Sequence, residues 1–307
     1  MKERIRQKTA AIPWIGRDSS QAVLMLLPML IGFIVFTYIP ILYIVRFAFY
    51  NYTGFRGSFN GIENFIRVFQ RDRAFWGSFL NTLILSAGKL AVEIPLAIFL
   101  AVLLHRGAMG TAFFRVTLFL PTIISTAIVG LVFSLMFASY EGVINTILQN
   151  AGFIAVPIDW LGKKWTALLV IAMASIWANI GINMIFFLMA LQGVPRELYE
   201  CATLDGCPSL KVFFRITLPM IAPIFRVVLL NAIIGSLKMT DLVLASTNGQ
   251  PGGTTEVVMT YVFKFFMGYS TRRVEVGYAC AMTLVTGVFL GAITYLYLRA
   301  SKKMNME

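Results

Sequence analysis

Six long, sparsely charged apolar stretches leave this chain few ways to fold. They cover residues 22–47, 79–104, 116–137, 166–191, 222–245 and 277–298. A helix needs about 20 largely apolar residues to cross a bilayer, and each stretch is that long. With 58% hydrophobic and 13% charged residues among 307, the chain is far from a soluble domain, where about a quarter of residues are charged. The expected fold is all-α and integral to the membrane, with six transmembrane helices. Each stretch contains Gly, Pro, Ser or Thr, which helices tolerate when they pack in a bundle. A net charge of +12 does not indicate nucleic acid, because the basic residues are scattered between the apolar stretches rather than gathered on one face. Lipid headgroups are the expected partner for that charge.

An even number of spans puts both termini on one side. With the N-terminus in the cytoplasm, fourteen of the 26 Lys and Arg residues fall in cytoplasmic segments and ten outside, and five stand just before the first span. That flank dominates the choice and predicts both termini inside. The domains are then a cytoplasmic segment 1–21, one transmembrane unit 22–298 and a cytoplasmic tail 299–307. The first apolar run exceeds a signal-peptide core and lacks a small-residue cleavage site, so it is expected to remain as an anchor. Cys201, Cys207 and Cys280 form no C-x-x-C pair, and the single His105 gives no zinc pattern. Three external loops carry turn residues but no soluble domain, and Asn51-Tyr52-Thr53 is a chance sequon.

Between the fourth and fifth stretches lies a segment, 195–221, much longer than two helices need to be joined. Pro195 can open a helix, and Pro195, Leu198, Tyr199 and Ala202 then share one apolar stripe. Arg196, Glu197 and Glu200 occupy the other face. Asp205-Gly206 is a turn signal, Pro208 can start a second short helix, and Leu218-Pro219 is expected to end it. The segment is thus a cytoplasmic helix–turn–helix finger. Its acidic residues suit a protein cleft better than an anionic leaflet.

The string Glu200-Cys201-Ala202-Thr203-Leu204-Asp205-Gly206-Cys207, followed by Ile216-Thr217-Leu218-Pro219, resembles the EAA loop of ATP-binding-cassette importer permeases. That pattern reads E-A-A-x-x-D-G-A, a spacer, then I-x-L-P; cysteine replaces alanine at 201 and 207. Leu118-Phe119-Leu120-Pro121, Gly142-Val143-Ile144-Asn145, Asp159-Trp160-Leu161-Gly162, Trp177 with Gly181, and Lys238-Met239-Thr240-Asp241 are similar to the sugar-permease branch. The loop Asn248 to Thr255 is similar to the T-G-G-G-P segment of the maltose and glycerol-3-phosphate type, altered here to Thr247-Asn248-Gly249-Gln250-Pro251. The resemblance implies a type I importer permease core, with the finger as coupling loop. Glu200, Ala202, Asp205, Gly206, Leu218 and Pro219 then contact a nucleotide-binding subunit. It also implies partners: a second permease, two ATPase subunits carrying ATP and Mg, and an extracytoplasmic sugar-binding protein, all in a bacterial or archaeal cytoplasmic membrane.

No G-x-x-x-x-G-K-[ST] phosphate loop occurs, so ATP hydrolysis is expected on a separate chain and no catalytic residue or cofactor on this one. Ionisable groups inside spans face a cavity or each other. Lys89 and Glu93 sit one turn apart, as an ion pair or as lining of a path. Trp177, Asn179 and Asn183 combine in span four a ring for stacking on sugar C–H faces with amides for hydroxyls. Asn231, Ser236, Lys238 and Asp241 extend the candidate path in span five, although polar residues also hold helices together. The expected function is import of a carbohydrate by alternating access, driven by ATP. An ion-coupled secondary transporter is the alternative, though it leaves the finger unexplained.

Overall fold

The computed structural model describes residues 15–105, 107, 110–269 and 273–303. Most of the segment 1–21 and the end of the tail 299–307 lie outside the described residues. Where they are described, both are helical and continuous with the neighbouring spans.

The first span is α1 (Ile15–Phe33) and α2 (Ile39–Phe47), joined through a π turn at Ile34–Tyr38. Proline has no N–H, and its ring crowds the carbonyl four residues back. The π turn makes the room Pro40 needs, with the Ile39 N–H reaching the Ile34 carbonyl, five residues back. No side chain of α2 is buried, although it packs along the last helix; most of this apolar surface faces away from the bundle. A two-stranded antiparallel ribbon follows, β1 (Tyr50–Tyr52) with β2 (Gly57–Phe59), Tyr50 opposite Phe59. It adds a small strand element to an otherwise helical chain, and the paired rings stand edge to face at 5.5 Å.

After α3 (Glu63–Ile66) the second span, α4 (Arg73–His105), opens at Asp72, whose carboxylate caps it by accepting the Phe75 N–H at 2.9 Å. The same carboxylate accepts the hydroxyls of Tyr261 at 2.8 Å and Tyr278 at 2.6 Å, tying this junction to the end of the chain. Arg67 bonds Glu275 and lies 3.8 Å from the Tyr278 ring centroid. Burial works against the Arg67 charge, yet the bonded Glu275 carboxylate holds its pKa above the ordinary value.

The third span is broken rather than straight. Helix α5 (Thr111–Phe119) tightens into a 3₁₀ turn at Leu120–Ile123, and α6 (Thr126–Met136) leaves at 99°. Pro121 lies in the tight turn and Ile124 is extended, so the helical ladder cannot pass through. Helix α7 (Val143–Asn150) follows, and there two motifs distant in sequence meet. The Asn145 side chain donates to the carbonyls of Ala138 and Ile158 and accepts from the Ile158 N–H and the Trp160 ring N–H, all within 3.1 Å. Asp159 accepts from Ser139 and the Gly162 N–H. Gly142-to-Asn145 and Asp159-to-Gly162 therefore form one knot.

Helix α8 (Lys164–Gln192) is the fourth span and the most buried. The finger follows as α9 (Arg196–Leu204) and α10 (Ser209–Val212). Leu218-Pro219 does not end its second helix, contrary to expectation. A π turn at Phe213–Thr217 precedes Pro219 as the first one precedes Pro40, and the helix runs on as α11 (Leu218–Leu237). The fifth span thus begins at the finger turn and extends from Ser209 to Leu237, not over 222–245. It stops at Lys238, and α12 (Asp241–Ser246) is a separate short helix packed on α6. Lys238 at a helix end and Asp241 at a helix start each sit where the macrodipole favours their charge, which accounts for the break. Helix α13 (Val258–Met267) and the sixth span, α14 (Val276–Lys303), complete the chain.

Among the described residues the core is four apolar clusters, three of them stacked along α4 and a smaller one at Ala48, Cys280 and Ala281 between the first and last spans. Of the stacked three, one joins Phe75, Val258, Tyr261 and Met282; the next joins Leu85, Val129, Ile171 and Leu242; the third, towards the finger, joins Ala97, Met184, Phe187 and Ile221. The gap between the second and third is polar.

Candidate functional site

The finger turn is built by its backbone. Gly206 has φ +66°, a left-handed conformation that costs other L-residues about 1–2 kcal/mol. The Cys207 N–H returns to the Ala202 carbonyl at 2.9 Å and the Gly206 N–H to Thr203 at 3.0 Å, the Schellman closure of a helix end. No atom lies within 4 Å of where a Gly206 Cβ would stand, so the turn is open to an incoming partner. Ala202 is buried and Tyr199 bonds Thr217 across the finger at 3.2 Å, which locks α9 onto α11. Leu198, placed on the same stripe by its spacing, lies at its exposed edge. Glu200, Asp205 and Gly206 are exposed. Leu204 is 88% and Leu210 73% exposed; the sequence shows Leu210 as apolar surface of the second short helix, whereas Leu204 escapes sequence reasoning. Pro219 is exposed and Leu218 half-buried, and both belong to the helical shaft rather than to the turn.

The polar gap along α4 is the wall of a cavity of about 440 Å³. Lys89 and Glu93 face each other at 3.2 Å, both buried. Asn183 of α8 donates to the other Glu93 oxygen at 2.6 Å, and Lys89 donates to Ser236 of α11 at 3.3 Å. One ion pair thereby ties three spans. Lys89 and Glu93 are both partners in a pair and lining of the cavity. Asn179, Asn231, Lys238 and Asp241 also line it, with Asn183. Ser236 stands behind the wall through its bond to Lys89.

Trp177 does not line this cavity. It is 42% exposed and leans on Phe133, ring centroids 5.8 Å apart. At about 100° per residue, position 177 points nearly opposite to Ser175 and Asn179, which do line it. Gly181 serves packing instead. A Cβ there would stand 2.0 Å from the Leu118 carbonyl oxygen, so glycine lets the broken third span sit against α8. A second buried ion pair, Lys264 with Glu256 at 2.7 Å, escapes sequence reasoning because both residues lie outside the apolar stretches. Lys264 also donates to the Asn248 carbonyl and Asn81 to those of Thr254 and Glu256, fastening the Asn248–Thr255 loop to α4 and α13. Among the described residues no three His, Cys, Asp or Glu side chains gather where they could hold a metal ion.

Comparison with known proteins places this architecture. The chain is 30% identical over 283 residues to the arabinooligosaccharides transport system permease protein AraP of Bacillus subtilis, covering 91% of this chain and 88% of the relative. It is 31% identical over 276 residues to the lactose transport system permease protein LacF of Rhizobium radiobacter, covering 88% and 90%. A crystal structure of a bacterial alginate ABC transporter, in complex with an alginate pentasaccharide-bound periplasmic protein, contains a chain that superposes with TM-score 0.82 at 25% identity. The match covers 95% of this chain and 98% of that one. The profile of the binding-protein-dependent transport system inner membrane component family matches residues 93–304, from the cavity carboxylate through the finger to the last helix, and this chain belongs to that family.

Proposed function

We propose that this chain is one of two permease subunits of an ATP-driven carbohydrate importer, with both termini and the finger in the cytoplasm. One observation carries the mechanism: the fifth span is one helical segment from the finger turn at Ser209 to Leu237, next to the cavity-lining Lys238. At 1.5 Å per residue it is about 43 Å long. A push on the finger is therefore carried along one helical span, through the π turn at Phe213–Thr217, to Asn231 and the helix end at Lys238, both at the cavity.

The finger's exposed leucines, Glu200 and Asp205 dock in a cleft of a separate ATPase subunit, which holds the ATP and Mg. Gly206 shapes the tip. Closure of two such ATPases moves two fingers together and turns the paired cavity towards the outside, where a binding protein delivers the solute. Hydrolysis returns it. Support for carbohydrate comes from the relatives' arabinooligosaccharide, lactose and alginate transport and from the amide-lined cavity, whose Asn179, Asn183 and Asn231 match hydroxyl groups. Ion coupling is not favoured, because the buried carboxylate Glu93 is already matched by Lys89 and Asn183.

The test is uptake of radiolabelled oligosaccharides into proteoliposomes holding this chain with a partner permease and an ATPase, with a binding protein outside. Uptake should require ATP inside and the binding protein outside. Uptake driven by an ion gradient without ATP would overturn the proposal.

A further inference from the structure

The charges on the cavity wall narrow the solute, given the carbohydrate-importer proposal above on which this step rests. Four ionisable side chains line the cavity: Lys89, Glu93, Lys238 and Asp241. Lys89 and Glu93 neutralise each other at 3.2 Å, and Asn183 occupies the second Glu93 oxygen. That pair presents no net charge to a solute. Lys238 and Asp241 differ. Both are exposed to the cavity, and among the described residues neither side chain makes an ion pair or a hydrogen bond. They stand at the facing ends of two helices, where the partial charges of the two macrodipoles are opposite and also cancel. The remaining polar capacity is amide: Asn231 is uncommitted, while Asn179 spends its NH₂ on the Ser175 carbonyl and keeps its carbonyl oxygen.

We infer that this wall selects an uncharged, hydroxyl-rich solute, with Asp241 as the residue that rejects acidic sugars. A hydroxyl can donate to the Asp241 carboxylate and accept from the Lys238 ammonium, so a neutral sugar satisfies both. A uronate or sulfonate finds Lys238 offset by Asp241 and meets a like charge in a confined space, which is costly. Substrate preference is thus set by a balance of two side chains, and changing either one tips it.

The experiment is competitive binding to the purified complex of both permeases and the ATPases in nanodiscs, using a panel of neutral trisaccharides and a panel of uronic-acid trisaccharides. Wild type should bind members of the neutral panel and none of the acidic one. Asp241→Asn leaves Lys238 unbalanced and should raise acidic over neutral affinity by about 10-fold or more. Lys238→Gln should weaken acidic binding further. A wild type that prefers uronic acids, or an Asp241→Asn variant whose ratio does not move, would overturn the inference while leaving carbohydrate import standing. Failure of every saccharide to bind, in all three proteins, would overturn the carbohydrate assignment along with it.

Discussion

Removing Glu93 alone should be far more damaging than removing Glu93 and Lys89 together. Both side chains are buried, and among the described residues the ammonium has only Ser236 besides its carboxylate. Glu93→Ala strands a charge inside the bundle and takes the acceptor from Asn183. Loss of one member of a buried pair costs about 3–5 kcal/mol, whereas replacing both with neutral residues of similar volume is often nearly neutral. Lys89→Met with Glu93→Gln keeps an acceptor for Asn183 and removes both charges, so it should fall within about 1.5 kcal/mol of wild type. Within one cycle of Glu93→Gln, Lys89→Met and the double variant, the coupling energy should therefore exceed about 1.5 kcal/mol. Thermal unfolding of the purified chain in one detergent gives the readout. At about 2–4 °C per kcal/mol for a chain of this order of size, Glu93→Ala should lose roughly 10 °C and the double variant only a few degrees. A double variant that loses as much as the Glu93→Gln and Lys89→Met single variants added together would mean zero coupling, and the three-span node would not exist as described.

Other positions give sharper local tests. Gly181→Val places a branched side chain where a Cβ already meets the Leu118 carbonyl oxygen at 2.0 Å; backbone must shift, and folded protein recovered from membranes should fall severely, beyond the 1–3 kcal/mol usual for overpacking. Asn145→Ala removes four hydrogen bonds to half-buried groups, at up to about 1 kcal/mol each, so limited proteolysis should cut the 138–162 segment first. Lys264→Met removes the buried ion pair to Glu256 and the bond to the Asn248 carbonyl and should loosen the Asn248–Thr255 loop, read as faster amide exchange there, with Lys264→Arg recovering part of the protection.

Much of this architecture is visible in residue order. The number of spans follows from six apolar stretches, and the finger from proline, a three-to-four spacing and Asp205-Gly206. Asn179, Asn183, Asn231, Lys238 and Asp241 do converge on one cavity, because residues 179 and 183 share a helix face and the other three fall around the end of α11. The misses have physical causes. Hydropathy counts apolar residues and cannot see that Pro121 with an extended Ile124 turns the third span through 99°. It also runs the fifth span past Lys238, where facing helix ends prefer their charges to a continuous ladder. Pro219 reads as a stop, but a π turn lets a helix carry proline. Trp177 stands close to Asn179 in sequence, although two residues apart along a helix point nearly opposite ways. Glu256 and Lys264 lie outside the spans, and nothing local shows that folding buries them.

The central claim is that the finger turn is where force enters the chain. The most direct measurement is affinity capture of this chain with its co-expressed ATPase subunit, comparing Gly206, Gly206→Asn and Gly206→Val. Within the chain a side chain at 206 meets nothing, so the penalty is conformational. Asparagine tolerates the left-handed region and valine does not. Wild type should retain the ATPase, Gly206→Val should lose it while remaining folded in the membrane, and Gly206→Asn should fall between. Full retention of the ATPase by Gly206→Val, with ATP-driven uptake intact, would contradict the account.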